Sequence, residues 1–158
     1  MVFHPSFTKG TDAEAVSVRR AEKQARVAQG DAHAALVFDG DTCVGWAQFG
    51  GCGELPQIRS RREYDKTRDR DLPDWRITCF FTDRNYRKQG IAAAALAGAL
   101  DLIAAAGGGR VEAYPEELTG QKTSPGFLWG GTLGLFERAG FERLRKIGKH
   151  RWVVSREL

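Results

Sequence analysis

The sequence predicts an α/β fold with one mixed sheet, a parallel pair of strands at its centre and helices on both faces. The predicted order of elements is helix, strand, strand, strand, helix, strand, helix, strand, strand. Residues 75–114 form a strand–helix–strand unit of about 40 residues, the length of a right-handed crossover that makes its two strands parallel. Short turns join the first two strands and the last two, which predicts a hairpin for each of these pairs.

The length and composition indicate one globular domain over residues 1–158. Hydrophobic residues make up 42% of the chain and charged residues 28%, which excludes a wholly disordered protein. The longest apolar run, residues 91–100, is too short to cross a bilayer, so no membrane partner is expected. The beginning of the chain lacks the pattern of a signal peptide. The cysteines number three, without the spacing of a zinc site, so we expect reduced thiols in a cytoplasmic protein and no metal.

The positive charge is concentrated in the second half of the chain. Residues 1–79 hold 12 basic and 12 acidic side chains, whereas residues 80–158 hold 12 and 8 and supply the whole net charge of +4. Six of these basic residues fall within residues 143–156. A positive half suits an anionic small molecule or, as a less favoured alternative, a nucleic acid. A solvated basic hairpin without a ligand explains the same pattern.

The amino-terminal elements are a helix followed by a hairpin. Residues 12–29 have helical apolar spacing, with Asp12 as the N-cap and Gly30 as the end. Residues 32–38 and 42–49 are each predicted to be a strand. The Asp-Gly turn between them predicts that the two strands form a β-hairpin.

Residues 50–74 are interpreted as an inserted loop. They contain three glycines early on and then a run of mixed charges, and residues 58–67 could form a short helix. A connection of this length is usually a lid or a binding loop, although a solvated linker without a role is equally compatible. We expect residues 54–74 to cover or border a binding site and to be more mobile than the sheet.

The remaining elements follow from apolar runs and glycine stops. Trp75–Thr82, WRITCFFT, is the clearest strand, and its continuous apolar end predicts burial on both faces. Residues 91–106 form an alanine-rich helix that three glycines terminate. The rest are predicted to be a strand at 110–114, a loop at 116–130, a helix at 132–139 and a hairpin of strands at 141–146 and 150–155.

The turn between the clearest strand and the alanine-rich helix has the properties of a phosphate site. A helix begins there with free backbone amides, Gly90 allows close approach to the backbone, and Arg87 and Lys88 add two positive charges. The turn is neither a Walker loop nor a dinucleotide fingerprint, because the glycine and lysine spacing of both is absent.

This turn resembles the pyrophosphate-binding turn of the GNAT superfamily, the acyl-CoA-dependent N-acyltransferases. Their pattern is Arg or Gln, two residues, Gly, one residue, then Gly or Ala, and here it is Arg87, Gly90 and Ala92. Residues 135–141, LFERAGF, look like the superfamily's short helix that ends in Gly-Phe before the last hairpin. The resemblance covers residues 32–158 and implies a GNAT-type sheet, mixed and mostly antiparallel, with a central splayed parallel pair.

The resemblance also implies the activity and the cofactor site. The expected reaction moves an acetyl group from acetyl-CoA to an amine of an unidentified acceptor by direct attack in a ternary complex. Like an added strand, the pantetheine arm would pair with the backbone of Phe80, Phe81 and Thr82. The pyrophosphate would be held by the amides of Arg87, Lys88, Gln89, Gly90, Ile91 and Ala92.

The catalytic candidates implied by the resemblance are Glu112 and Tyr114. An amine acceptor must lose a proton, and Glu112 matches the acid on this superfamily strand that takes it directly or through a water. Tyr114 could orient the acceptor or donate to the leaving thiolate. Glu54 and Asp83 are weaker candidates for the base. The alternative to a catalytic role is a surface carboxylate for Glu112 and a half-buried aromatic side chain for Tyr114.

The chain departs from the family pattern at three places, one of which is the start of the short helix, where residues 129–131, WGG, replace the asparagine often found there. Many members carry a tyrosine acid on the short helix, but this chain has Phe136 there, so Tyr114, Ser124 or water would protonate the thiolate. Phe136 also raises the alternative of a non-catalytic acyl-CoA-binding module. The first strand and second early helix of the family are not visible, so residues 1–31 look like a shortened amino-terminal part. Whether the protein forms a homodimer stays open.

Overall fold

The computed structural model describes residues 12–118, 120 and 125–158. Within these ranges the chain forms a six-stranded sheet, α-helices on its faces and two short 3₁₀ turns. The helices are α1 (Ala13–Gln29), α2 (Arg61–Thr67), α3 (Ile91–Ala105) and α4 (Leu133–Arg138). The strands are β1 (His33–Asp39), β2 (Thr42–Gly51), β3 (Trp75–Thr82), β4 (Arg110–Ala113), β5 (Glu142–Lys146) and β6 (Trp152–Glu157). The 3₁₀ turns span Arg84–Tyr86 and Pro125–Gly130.

The strands lie in the order β1-β2-β3-β4-β6-β5. Among the described strands, β3 and β4 are the one parallel pair, and every other pairing is antiparallel. The α3 helix links the two parallel strands, as a crossover connection requires. The predicted α/β fold, with a mostly antiparallel sheet and a central parallel pair, is therefore confirmed.

Local sequence signals set the ends of the first elements. The Asp12 carboxylate accepts a hydrogen bond of 2.8 Å from the Ala15 amide and caps α1. The helix ends at Gly30, whose φ of +76° suits a residue without a β-carbon. The Asp-Gly turn closes the β1–β2 hairpin as predicted.

Helices cover both faces of the sheet, as predicted. Adjacent residues of a strand point to opposite faces, and Val153 and Val154 on β6 belong to different apolar clusters. Val154 packs in the large cluster that contains the buried faces of α3 and α4. Val153 packs in a second cluster with Tyr64 of α2 and with Tyr114.

The parallel strands β3 and β4 stop pairing before β3 ends, and this break in the sheet places the candidate site. Pairing of β3 with β4 runs from Trp75 opposite Val111 to Ile77 opposite Ala113 and stops there. A bulge at Thr78 then inserts one residue into β3 opposite β2. The second half of β3 therefore continues beyond β4, and the 3₁₀ turn Pro125–Gly130 packs beside it.

The inserted segment is anchored by buried side chains. Leu55 and Tyr64 are fully buried, and Ile58 is 7% exposed. The α2 helix starts at Arg61, later than the predicted start at residue 58, because Ser60 adopts a left-handed conformation with φ of +58°. The greater mobility expected of this segment stays a prediction.

Much of the basic carboxyl-terminal charge is used inside the molecule. Ion pairs join Arg143 and Lys146 to Glu117, and Arg151 to Glu116. The local excess of positive charge is therefore smaller than the sequence suggests. In the described parts of the chain, no helix combines the length and the apolar character that crossing a membrane requires.

Candidate functional site

A large open cavity lies where β3 meets the start of α3. Its volume is about 620 Å³. Of the nine residues predicted to bind the cofactor, eight line it, and only Gln89 does not. The eight residues are Phe80, Phe81, Thr82, Arg87, Lys88, Gly90, Ile91 and Ala92. The turn 125–130, α4 and the two residues between them also line it, through Leu128, Trp129, Gly131, Thr132, Leu135 and Arg138.

The backbone of the turn before α3 is shaped to hold an anion. Lys88 and Gly90 both have positive φ, +62° and +82°, with Gln89 between them. Alternation of this kind directs successive backbone N–H groups toward one point, and the free amides at the start of α3 add to it. The left-handed conformation is costly for Lys88, and such strain is concentrated at binding sites.

The space above Gly90 is open. A β-carbon built on Gly90 would meet no other atom within 4 Å. The exposed side chains of Arg87 and Lys88 flank this opening. The site therefore offers free amides, two cations and unobstructed backbone, which fits a diphosphate group. Gln89 faces away, since its side-chain amide donates to the carbonyl of Asn85 at 3.0 Å.

A second, small cavity is also lined by Trp129. We call it the inner cavity. Its volume is about 10 Å³, enough for one water. Trp129 lines both cavities. The other residues around the inner cavity are Ile58, Arg59, Thr78, Tyr114, Glu116, Gly130 and Arg151.

Glu112 is fully buried on β4 and faces away from the large apolar cluster. Its Oε2 accepts a hydrogen bond of 2.7 Å from the hydroxyl of Tyr64 and one of 3.3 Å from the hydroxyl of Tyr114. Its Oε1 has no hydrogen-bond partner in the described part of the chain. Because Tyr114 also lines the inner cavity, Tyr114 connects Glu112 with that cavity.

Both tyrosines hold their protons firmly. Burial raises the pKa of Tyr114 well above its ordinary value, and the Glu112 carboxylate raises it further. Burial also raises the pKa of Tyr64, together with its hydrogen bond to Glu112. Near neutral pH both hydroxyls are therefore protonated donors.

An arginine lies opposite Glu112 in the centre of the sheet. Arg76 pairs with Glu112 across the parallel strands and is 1% exposed. Its Nη1 donates to the carbonyl of Leu55 at 2.9 Å, which ties β3 to the inserted segment. The guanidinium also lies 5.7 Å from the centroid of the Tyr64 ring.

The other residues proposed for proton transfer lie elsewhere. Glu54 accepts a hydrogen bond from the His33 amide at the start of β1. Asp83 caps the first 3₁₀ turn by accepting from the Asn85 amide. Phe136 is fully buried, and its ring packs edge-on against Phe80. Ser124 falls outside the described residues.

Two functional candidates were not visible in the sequence. Tyr64 stood out as no more than part of a short helix, and Arg59 as part of a charge run. Both residues contact partners that are far away in the sequence. The Tyr64 hydroxyl donates to Glu112, and the Arg59 guanidinium lies 4.5 Å from the centroid of the Trp129 ring. A pattern of local spacing carries no signal for such contacts.

Within the described residues, no group of three or more His, Cys, Asp or Glu side chains could hold a metal ion. The cysteines are unpaired, and burial raises the pKa of the Cys79 thiol to about 11. Cys79 packs with Leu55 as a small apolar side chain.

A family model matches most of the chain. The model described as "Acetyltransferase (GNAT) family" covers residues 3–122. No curated protein sequence matches the chain.

Several solved structures are similar in fold. The ribosomal-protein-alanine N-acetyltransferase from Brucella melitensis is 16% identical, with a TM-score of 0.56 over 90% of this chain and 78% of that one. An acetyltransferase from Thermus thermophilus is 17% identical, with a TM-score of 0.52 over 99% and 84%. The Salmonella typhimurium protein yncA, solved with its cofactor acetyl-CoA, is 15% identical, with a TM-score of 0.53 over 95% and 75%. At these identities the likeness shows a shared fold.

Proposed function

Because the chain belongs to the GNAT acetyltransferase family, we propose that it transfers an acetyl group from acetyl-CoA to an amine of a second substrate. We further propose direct attack in a ternary complex as the route. Acetyl-CoA would occupy the large cavity, and the inner cavity, which has room for one water, would hold the water that links the acceptor's amine to Tyr114. One observation carries the proposal: the strand end and the anion-binding turn predicted for the cofactor line the same open cavity.

The turn before α3 would hold the diphosphate of acetyl-CoA. The left-handed residues Lys88 and Gly90 direct the amides, and the positive end of the α3 dipole adds roughly 1 kcal/mol of anion attraction. Residues Phe81 and Thr82 line the path from this turn along β3. The backbone there could pair with the amides of the pantetheine arm, because β3 continues beyond β4. Bound acetyl-CoA supplies the acetyl group as a thioester.

Glu112 would accept the proton that the amine loses. As the new N–C bond forms and the C–S bond breaks, one proton must leave the nitrogen. Glu112 is fully buried, so it would receive this proton through the Tyr114 hydroxyl or through a water rather than directly. Tyr114 then contacts the acceptor through that water, and Glu112 acts behind it.

The leaving thiolate would take a proton from Tyr114 or from water. Burial raises the pKa of Tyr114, which keeps its hydroxyl protonated near neutral pH but makes it a weaker acid, so water is the better donor of the two. Phe136 cannot protonate the thiolate, because its side chain carries no acidic proton. It is also fully buried in the apolar cluster, so its side chain contributes to packing.

A non-catalytic acyl-CoA-binding module is the second candidate. The observation in its favour is that phenylalanine replaces the acid that many family members carry on the short helix. Such a module would bind acetyl-CoA without transferring the acetyl group. Turnover of acetyl-CoA with a panel of amines separates the two functions.

The cofactor site is tested by two matched glycine substitutions. Gly90 and Gly30 have similar φ values, +82° and +76°, and a β-carbon on either meets no atom within 4 Å. Gly90→Ala and Gly30→Ala should therefore destabilise the protein by similar amounts, about 1 kcal/mol. Calorimetric titration with acetyl-CoA should show weaker binding for Gly90→Ala alone, because its methyl group lies where the diphosphate approaches. Equal affinities in the two variants would refute the site.

A further inference from the structure

An open groove lies between α3 and α4. We call it the helix groove; its volume is about 490 Å³, and residues of both helices and of the end of the chain line it. Along α3 it extends from Ala93 to Ala104, a length of about 16 Å at the rise of an α-helix. Most of its lining is apolar and includes Leu96, Leu100 and Leu135. The groove has no part in the acetyl transfer proposed above.

The helix groove adjoins the cavity proposed for acetyl-CoA. Three residues, Ala93, Leu135 and Arg138, line both of them. Ala93 directly follows Ala92, the last residue of the turn proposed to hold the diphosphate. A ligand whose diphosphate lies at this turn is therefore next to the groove, and a part of the ligand that extends beyond the diphosphate can enter it.

Arg138 provides a positive charge where the cavity and the groove adjoin. Its side chain lies back along α4, because a β-carbon built on Gly134 would be 3.3 Å from the Arg138 Nη1. Among residues 12–118, 120 and 125–158, no carboxylate forms an ion pair with Arg138, and every Asp and Glu of the sequence falls within these ranges. Arg138 is exposed, so an anion can reach it from solvent.

The two other charged side chains that line the groove differ from Arg138. Arg156 donates to the carbonyl of Ala139 at 2.6 Å, so it is tied to the end of α4. Asp101 lies about 12 Å along α3 from Ala93 and carries a negative charge. The groove therefore presents a cation beside the cavity, then apolar surface, and a carboxylate farther along. A phosphate is favoured at the Arg138 end and repelled at the Asp101 end.

This order of charges matches the nucleotide end of CoA. Beyond its diphosphate, CoA carries a ribose with a 3′-phosphate and then an uncharged adenine ring. We propose that Arg138 binds the 3′-phosphate and that the adenine lies in the helix groove, on the apolar surface between Ala93 and Asp101. A guanidinium offers a planar pair of donors that matches two phosphate oxygens. This inference rests on the proposed use of acetyl-CoA and specifies how its nucleotide is held.

The test uses CoA and 3′-dephospho-CoA, which differ in one phosphate. Calorimetric titration measures the affinity of the wild-type protein for each compound. The 3′-dephospho compound should bind about tenfold more weakly, because it loses a charge-assisted contact with the guanidinium. The difference should shrink as the salt concentration rises, since an exposed charge is screened. Equal affinities for the two compounds at low salt would overturn the assignment.

Variants of Arg138 show whether this residue recognises the phosphate. In Arg138→Gln the ratio of the two affinities should fall toward one. Arg138→Lys keeps the charge but loses the planar pair of donors, so it should retain part of the preference. Arg84→Gln is the matched control, because Arg84 is also exposed but lines neither the large cavity nor the groove. An equal loss of preference in Arg84→Gln and Arg138→Gln would show a general effect of net charge and exclude Arg138 as the binding residue.

A larger side chain in the groove tests the place of the adenine. Ala97 and Ala105 are both exposed on α3, but only Ala97 lines the groove. Ala97→Leu should weaken the binding of CoA severalfold and leave the affinity for 4′-phosphopantetheine, which has no adenosine, unchanged. Ala105→Leu should change neither affinity, and leucine suits a helix at both positions. Wild-type affinity for CoA in Ala97→Leu would contradict an adenine in the groove.

Turnover separates failure of this inference from failure of the proposed function. If CoA and 3′-dephospho-CoA bind equally well and both acetyl forms support transfer to an amine, the nucleotide site is wrong and the proposed function stands. If neither compound binds, both the cofactor and the nucleotide site are wrong. A preference for the 3′-phosphate that depends on Arg138, without acetyl transfer, would support the nucleotide site and favour the non-catalytic module.

Discussion

The hydroxyl of Tyr64 donates to Oε2 of Glu112 across 2.7 Å, and both residues are fully buried. The two residues are 48 positions apart in the chain. The Tyr64 ring also packs edge-on against Tyr114, with centroids 5.6 Å apart. The insert between β2 and β3 thus reaches the carboxylate to which we assign the proton of the acceptor, and it helps to fix the two groups proposed for proton transfer.

Replacing Tyr64 by phenylalanine should destabilise the fold. The substitution leaves the ring but removes the shorter of the two hydrogen bonds to a buried carboxylate, a loss of about 1–3 kcal/mol. Urea unfolding measures this loss of folding free energy. Tyr86→Phe is the control, because its hydroxyl also donates to a carboxylate, Asp39, but at the surface, where the loss should be smaller. Equal losses in the two variants would contradict the structural importance of the Tyr64 bond.

Glu112→Gln should lower turnover by about a hundredfold or more and leave the affinity for acetyl-CoA nearly unchanged. The amide keeps the size of the side chain and can still accept from Tyr64, but it cannot take a proton. Tyr114→Phe should also lower turnover, because it removes the hydroxyl between Glu112 and the inner cavity. The measurement is the pH–rate profile of each variant. A Glu112→Gln protein with the wild-type rate and profile would remove Glu112 from the mechanism.

Restoring the family's tyrosine by Phe136→Tyr should not raise activity. Phe136 is fully buried between the rings of Phe80 and Phe141. A hydroxyl added there is buried without an assigned partner, which should cost about 1–3 kcal/mol. Thermal unfolding and turnover are measured together. A stable variant with higher turnover would show that the position does reach the reacting groups.

The protein should lose stability above about pH 10. Burial raises the pKa of Tyr64 and of Tyr114 in the folded state above the ordinary value of 10.0. The unfolded chain then releases these protons at lower pH than the folded one, so the stabilisation present below pH 10 is lost as pH rises further. The urea midpoint should fall between about pH 9 and 11, and less steeply in Tyr64→Phe, which lacks one of these protons. Parallel curves for both proteins would contradict the assigned direction.

The sequence predicted the parts of the fold that local patterns determine. The bounds of Trp75–Thr82 were predicted without error, because a buried strand is continuously apolar and ends at a polar turn. The start of α3 followed from Gly90 and from the alanine run behind it. The residues lining the large cavity were predictable for the same reason, since the turn and the strand end are neighbours in the chain.

The features that were not predicted depend on contacts distant in sequence or on backbone geometry. The left-handed conformation of Lys88 has no signal in its residue type, because lysine rarely adopts it. The bulge at Thr78 shifts which side chains of β3 face α3, and the alternation of the sequence does not show it. The sequence made Glu112 a candidate base but left a surface carboxylate as the alternative, and its burial follows only from the pairing of β4 on both sides.

The position of β6 has a consequence for how the chain folds. This strand follows all others in sequence, yet it lies inside the sheet between β4 and β5. During synthesis β4 can pair on one side only, and Val153, which packs beside Tyr64, is not yet available. Docking of the insert onto the sheet should therefore be a late event that depends on long-range contacts and is slow for that reason.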